Sequence, residues 1–529
     1  MTQTTRSRPS NPRQTAVASA RLEAAQRFLT TGDVRGAHST LTDILQDDAG
    51  NVPALLMMAR IGVQAGQDAS ACKLLIAAAE QAPDRHDIWS ALVEVLDRLA
   101  IADAQAIVAV RRSARPDVAA YRTISVHLME QGGDHVGARD GLQAIVDADP
   151  DDAKALLALG NAQRTLGDTD AAIGSYRRAI STGREVGRGS WALSDIKMFR
   201  FTEDEVVAME GWLARDDLSA ADRTPLSFAL ARAREIAGDH AAAFAQYQAA
   251  NHDKRAEQPH DARAIDAEIE ATRRSLTPAF FERSAAAGCA EPGPIFIVGL
   301  PRSGSTLVEQ ILASHSAIEA TRELGDLEAI VRHIALSPQG RGISYQQTLA
   351  ATDAKGLEAL GREYLRRTRS HRRTGRRLFI DKAPANFRHV GLIKTILPHA
   401  KIIDMRRDAL GGGLSIYKQL FSRGFTFANS LKDIAAYRRG YVRMMTLWDD
   451  LLPGAVHPVE LQDLVTDTET TVRRLLDYLG LPFEPACLDF HRTERAIRTP
   501  SAEQVRQPIS VAALESWRPY ERWLGPLAE

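Results

Sequence analysis

Five glycines fall in one phase along the first half of this 529-residue chain, and that phase restricts the fold more than any other feature of it. They open short polar turns: Gly32-Asp33, Gly66-Gln67-Asp68, Gly133-Asp134, Gly167-Asp168 and Gly238-Asp239. Five residues beyond each glycine comes an alanine (Ala37, Ala71, Ala138, Ala172, Ala243), and four further on a large apolar or aromatic residue (Leu41, Leu75, Leu142, Tyr176, Tyr247). Pro83, Pro116 and Pro150 lie 33 and 34 residues apart, each at the end of a helical pattern. A period of this length is the mark of stacked helix pairs, each unable to bury its apolar face alone.

The recurrence resembles the tetratricopeptide repeat, in which a small residue lets two helices approach and an aromatic fills the space beside them. Its clearest unit is Leu156, Leu159, Gly160, Gly167, Ala172, Tyr176 and Ala179. The resemblance covers about residues 17–251, with a weak repeat near 89–109 and a degenerate stretch around 183–221. It implies an all-α solenoid whose concave surface holds a protein or peptide partner; homodimerisation, or a wall for an active site, are roles left open. Residues 258–283 read as one more amphipathic helix and a polar connector, and Glu291-Pro292-Gly293-Pro294 marks a boundary. The expected organisation is a disordered N-terminus over 1–16, a solenoid with connector over 17–290, and a second domain over 291–529.

Net charge is −1, but it is unevenly spread. From Glu291 onward there are 33 Lys and Arg against 27 Asp and Glu, which leaves 33 against 40 before it. A mildly basic second part suits an anionic ligand without implying nucleic acid. The eight arginines within 362–377 have only Tyr364 among them as an aromatic, so they read as a solvated helix and loop. Cys72, Cys289 and Cys487 are too few and scattered for a disulfide framework or a metal cluster, which points to a reducing compartment. The first fourteen residues are polar and basic, and no later segment has the apolar length to cross a bilayer, so a cytoplasmic protein with no membrane span is expected.

Chemistry enters at residues 295–306. Ile295-Phe296-Ile297-Val298 reads as a buried strand, and it runs into Gly299-Leu300-Pro301-Arg302-Ser303-Gly304-Ser305-Thr306. Two glycines four residues apart let backbone N–H groups converge on an anion at the start of a helix. The spacing is that of a P-loop, but Ser305 stands where a nucleoside triphosphate enzyme needs its lysine. Short apolar runs at 377–380, 401–405 and 455–461 alternate with helical segments, as in a parallel sheet flanked by helices with ligands at the carboxyl ends of its strands.

The loop Pro301-Arg302-Ser303-Gly304-Ser305-Thr306 resembles that of sulfotransferases using 3′-phosphoadenosine 5′-phosphosulfate (PAPS), and the C-terminal domain is similar to that of the tyrosylprotein sulfotransferases. The resemblance implies that PAPS is the cosubstrate, that no metal is needed, and that Arg302, Ser303, Gly304, Ser305 and Thr306 bind its 5′ end. Arg407 and Ser415, eight residues apart, match the 3′-phosphate pair. Glu323, in Thr321-Arg322-Glu323-Leu324-Gly325-Asp326, takes the place of the general base, and Lys382, after the second strand, that of the cation at the transferred group. Near the C-terminus, residues 499–508 resemble the closing loop, with Ser501 by the sulfonyl group and Arg506 near the nucleotide. Three departures stand out: Ala409 replaces a proline, Gly411-Gly412-Gly413 gives a soft helix opening, and Leu461 replaces a tyrosine.

The expectation is therefore a tetratricopeptide-like solenoid followed by an α/β P-loop-like domain that transfers a sulfuryl group to an acceptor hydroxyl of a protein tyrosine, a glycan or a small molecule. A P-loop nucleotide kinase and a non-catalytic repeat binding module are the alternatives.

Overall fold

The computed structural model describes residues 12–82, 85–114, 120–340, 342–421, 424–493, 504–511 and 514–528. Pro83 and Pro116 of the repeat phase, the first eleven residues, and Ser501 lie outside them. The chain forms two compact units, one of Met1–Leu128 with Glu328–Ile343, the other of Met129–Leu327 with Ser344–Glu529.

In the first unit, helices Pro12–Thr30, Val34–Asp47, Val52–Gln64, Asp68–Gln81, His86–Leu96 and Ile101–Ala114 follow one another. The turn glycines do what only glycine does cheaply, with Gly32 at φ 82° and Gly66 at φ 71°. Asp33 then caps the next helix by accepting from the Gly36 N–H at 2.9 Å. Ala37, Leu41, Ala71 and Leu75 are all buried.

The second unit opens with the same grammar. Gly133, Gly167 and Gly238 have φ of 77°, 94° and 86°, and Asp134, Asp168 and Asp239 each cap the helix that follows. Ala138, Ala172 and Ala243 are wholly buried, as is Tyr176, and Tyr247 is 1% exposed. The small residue at Gly160 is dictated by its partner, since a Cβ there would stand 2.5 Å from Tyr176 Cε1. The last repeat helix, His240–Glu257, joins an aromatic core in which Phe244 and Tyr247 pack with Tyr417, Tyr520 and Leu524. Asn251 Nδ2 donates to the Tyr417 carbonyl at 2.9 Å.

Beyond Pro278–Ser284 the unit contains a five-stranded, all-parallel sheet: β1 (Pro294–Gly299), β2 (Ile318–Ala320), β3 (Leu378–Lys382), β4 (Lys401–Arg406) and β5 (Val456–Glu460), in the order β2-β3-β1-β4-β5. The apolar runs read from sequence are β1, β3, β4 and β5. β2, Ile318-Glu319-Ala320, is too short to leave a pattern. The arginine-rich stretch holds it in place: Arg376 Nη1 donates to the Ile318 carbonyl at 2.7 Å, and buried Glu319 accepts from the Thr374 N–H at 2.7 Å. Only part of that stretch is therefore a solvated face, as where Arg362 and Arg366 pair with Glu358 and Glu363. The chain visits β2 and β3 on one side of β1 and then crosses to β4 on the other, so the topological switch lies between β1 and β4.

Candidate active site

All six residues of β1 are buried, and the strand ends in Gly299 at φ 137°. A Cβ on Gly299 would overlap the Met405 carbonyl oxygen, and one on Gly304 (φ 97°) would stand 2.7 Å from Leu461 Cδ1. The loop can thus lie against β4 only with glycine at its start, and it turns at its end at the left-handed Gly304. Helix Ser305–Ala313 starts directly after Gly304. Arg302 has φ 66°, which costs a non-glycine residue about 1 kcal/mol. Ser303 is 2% exposed and its Oγ has no hydrogen-bond partner among the described residues. Ser305 and Thr306 are buried beside it.

Arg302, Arg407 and Ser415 meet across the switch point. Arg302 Nε donates to Ser415 Oγ at 3.3 Å, and Arg407 Nη1 donates to the Arg302 carbonyl at 3.2 Å. Burial holds the Arg302 guanidinium below its usual range, with Asp195 opposing and Arg407 adding to the shift. Burial lowers Arg407 as well, with Asp408 opposing. Two partly buried guanidiniums side by side favour an anion.

The glycine triplet after Arg407 has a packing cause. Asp408 caps helix Ala409–Tyr417 by accepting from the Gly411 N–H at 2.5 Å, and a Cβ on Gly413 would come within 2.6 Å of Leu527 Cδ1. A cavity of about 470 Å³ opens beside the loop, lined among others by Ser303, Arg407, Gly412, Tyr441 and Met445.

On the other side of β1, the register pairs Ile297 with Lys382, so the end of β3 lies beside the strand that feeds the loop. Lys382 is 2% exposed and its Nζ donates to Glu323 Oε1. Glu323 itself is 54% exposed, a carboxylate open to solvent with a buried ammonium behind it. Thr321 anchors the segment by donating Oγ1–H to the Ile380 carbonyl at 2.5 Å.

Arg506 reaches a helix of the repeat array. Its Nη2 donates to the Thr165 carbonyl at 3.3 Å, while the preceding Val505 packs on Leu307 of the loop helix.

Several polar residues behind the site carried no signal in the sequence. Asp381, next to Lys382, is wholly buried; burial pushes it up to about 8, although Tyr364 opposes by donating its O–H to Oδ2 at 2.7 Å. Asp404 on β4 is buried too, and accepts from Tyr441 at 2.6 Å and from Arg406 at 2.7 Å. Asp195 and Lys197, from the degenerate stretch, lie in the field of Arg302. A buried acid at a strand end looks like any strand-end acid until its partners are known. Among the described residues no group of three or more His, Cys, Asp or Glu gathers as for a metal ion, and no helix is long and apolar enough to cross a membrane.

Residues 294–485 match the model of the Sulfotransferase family, and residues 28–95 match that of the tetratricopeptide repeat. An uncharacterized protein of Aquifex aeolicus is 31% identical over 343 residues, which are 63% of this chain and 45% of that protein. Protein-tyrosine sulfotransferase 1 of Danio rerio is 28% identical over 242 residues, 42% of this chain and 65% of that one. The chain thus spans between about half and two-thirds of the length of these curated relatives. Among solved structures, the sulfotransferase domain from the Synechococcus PCC 7002 olefin synthase aligns with 43% of this chain and 88% of its own, at 23% identity and a TM-score of 0.33.

Proposed function

From a chain whose residues 294–485 form a sulfotransferase-family domain and whose residues 28–95 carry tetratricopeptide repeats, we propose an enzyme that transfers a sulfuryl group from PAPS to an acceptor hydroxyl. One observation carries the reading: three motifs far apart in sequence, around Arg302, Lys382 and Arg407, stand at the carboxyl ends of the adjacent strands β3, β1 and β4. On this reading residues 291–529 are the catalytic region and 17–290 the repeat region.

The residues present fit the nucleotide. The loop turns at two glycines where a Cβ would clash, and the orphaned, buried Ser303 Oγ supplies a polar contact there. PAPS, when bound, supplies the sulfuryl group, whose bond to the 5′-phosphate breaks as the acceptor oxygen bonds to sulfur. The loop amides, Ser305 and Thr306 hold its 5′ end, and Arg407 with Ser415 holds the 3′-phosphate. Glu323, solvent-facing, takes the acceptor's proton. Lys382, oriented by Glu323, stabilises negative charge as it develops on the transferred group, with Arg302 beside it. The family resemblance assigns Ser501 and Arg506 to the segment that would close around the nucleotide.

The relatives named protein-tyrosine sulfotransferase make a tyrosine hydroxyl the first acceptor to assay, with glycans and small molecules next. The repeat region would recruit that acceptor or a partner, or pair two copies.

Thermal unfolding with 3′-phosphoadenosine 5′-phosphate, side by side with ATP and Mg²⁺, tests the reading. A ligand at 100 times its Kd adds about 2.7 kcal/mol. Stabilisation by the bisphosphate is expected. Stabilisation by ATP alone would move the protein to the kinases, and no response to either would favour a repeat module without catalysis.

A further inference from the structure

The segment that carries Glu323 leaves the weakest strand of the sheet. β2 has three residues, lies at the edge and pairs with β3 alone among the described strands, so the chain beyond it inherits little order from the sheet. Residues 321–325 form neither helix nor strand.

Side chains from elsewhere supply the order. Thr321 donates Oγ1–H to the Ile380 carbonyl at 2.5 Å, and at the far end buried Asp326 is held by Arg367 Nε at 3.0 Å and His371 Nε2 at 3.2 Å. Between these anchors, Arg322 Nη1 donates to Gln131 Oε1. Gln131 is the last residue of helix Ala120–Gln131, directly before the repeat turn Gly132-Gly133-Asp134.

The same turn takes a second hold. Arg373 Nη2 donates to the Gly132 carbonyl, while the backbone N–H of Arg373 donates to Glu319 Oε1 on β2. One arginine thus ties the turn to the strand before Glu323, and another ties it to the residue beside Glu323. Carbonyls at the end of a helix carry its negative dipole, which suits a guanidinium. The next turn of the array is used alike, since Arg506 Nη2 donates to the Thr165 carbonyl at 3.3 Å in the last turn of Ala153–Leu166.

We infer that Gln131 is a positioning residue for the reaction: by accepting from Arg322 it holds the segment on which Glu323 stands, and so sets the carboxylate against Lys382 and the acceptor hydroxyl. The inference rests on the sulfotransferase reading, in which Glu323 takes the acceptor's proton, and adds to it a residue supplied by the repeat region. A carboxylate 54% exposed has few neighbours of its own, so the backbone beneath it decides where it sits. Proton transfer needs hydrogen-bond geometry, and a displacement of about 1 Å costs as much as 10²-fold in rate. The nucleotide is a separate matter: Gln131 acts on the β2 side of the sheet, whereas the phosphate loop and Arg407 stand at β1 and β4.

Gln131→Leu keeps the bulk of the side chain and removes the acceptor, and Gln131→Glu keeps the acceptor. In the full chain, amide hydrogen exchange over residues 318–327 reads the hold on the segment. Sulfuryl transfer from PAPS to a tyrosine-containing peptide reads its consequence. Gln131→Leu should exchange those amides several-fold faster and lower kcat by about 10-fold, with melting temperature and affinity for 3′-phosphoadenosine 5′-phosphate unchanged. Gln131→Glu should match wild type in both readouts. Arg322→Met breaks the same bond from the other side and covers the case in which Gln131→Leu does not fold. Unchanged exchange in the leucine variant, or a fall in kcat matched by an equal fall in bisphosphate affinity, overturns the inference and leaves the sulfotransferase reading intact. Exchange decides even where the peptide accepts no sulfuryl group. Wild type that binds no bisphosphate overturns that reading and this one with it.

Discussion

The helix pair around Tyr176 and the helix that follows it are neighbours in sequence and in one compact unit, yet they use their side chains for different ends. In the pair Ala153–Leu166 and Thr169–Ser181, Ala172, Tyr176 and Ala179 are fully buried, Tyr176 donates its O–H to Asn161 at 2.8 Å, Gly167 supplies the left-handed turn, and Asp168 caps. Each of these features is satisfied within the pair. Helix Val186–Asp195 starts instead from Glu185 at φ 52°, without a side-chain cap, at a cost of about 1 kcal/mol. Gly187 and Gly189 then let it sink against its neighbours, and at its far end Asp195 pairs with Arg164 and Lys197. Where the repeat keeps its phase the residues pack; where the phase fails, charged side chains pair across helices instead.

The largest effect belongs to neither helix. Lys382→Ala should lower turnover by roughly 10²- to 10³-fold, the range for losing one preorganised transition-state donor, with little change in melting temperature because Glu323 is already half in water. Substitutions in the regular pair should leave turnover per folded molecule untouched. Steady-state kinetics beside thermal melts would show it, and full activity in Lys382→Ala would remove the central electrostatic element of the mechanism.

Asp381 extends the contrast to stability. Its folded value near 8 lies far above that of an unfolded aspartate, so the native state holds a proton that the unfolded chain has released. The stability this contributes is complete below the unfolded value of about 4, is lost progressively as pH rises toward 8, and is gone above it. Asp381→Asn, neutral at every pH, should be more stable than wild type at pH 8 by on the order of 3 kcal/mol and should flatten that slope. Urea titrations from pH 5 to 8 measure both, and parallel pH profiles for the two proteins would contradict the assignment.

How much of this was legible in the sequence follows the same division. The turn glycines, their capping aspartates and the alanine and aromatic positions could be read because each acts locally, at fixed spacing. Four of five strands were visible as apolar runs, and the loop as glycine spacing, because burial on both faces of a sheet leaves no polar alternation. Arg407 and Ser415 were visible only through family resemblance. Asp195, Lys197, Asp381 and Tyr364 were not visible at all: their meaning comes from partners 17 to more than 100 residues away, as between Tyr364 and Asp381 or Asp195 and Arg302. The arginines at 367 and 376 misled for the same reason, since a composition rich in charge does not say which side chains turn inward.

Two glycine substitutions sharpen the comparison. Gly160→Ala presses on the Tyr176 ring and should cost about 1–3 kcal/mol of stability, with bisphosphate affinity unchanged. Gly187→Ala meets the backbone carbonyl of Asp222, which cannot rotate away, so the whole helix must shift and carry Asp195 and Lys197 with it. The loss of stability should therefore exceed that of Gly160→Ala, where the Tyr176 ring can tilt. Equal shifts of the urea midpoint in the two variants would mean that the irregular helix yields as readily as the Tyr176 ring.

The smallest effect lies inside the regular pattern. Four of the five phased turns place an aspartate at the N-cap, where its carboxylate accepts from a backbone N–H three residues on: Asp33 from Gly36, Asp134 from Gly137, Asp168 from Ala171 and Asp239 from Ala242. At the remaining turn the cap is Gln67, which makes no such bond, and the aspartate stands one place late at Asp68. Glutamine is one methylene too long to fold back onto the N–H of Ser70, so that donor gains nothing from its cap. Gln67→Asp restores the bond and adds negative charge at the positive end of the helix dipole, for a gain of about 0.5–1 kcal/mol. The urea midpoint should rise while turnover stays as in wild type. An unchanged midpoint would mean that this turn obtains its order from packing around Gly66 alone, and that the repeat phase needs its glycine more than its cap.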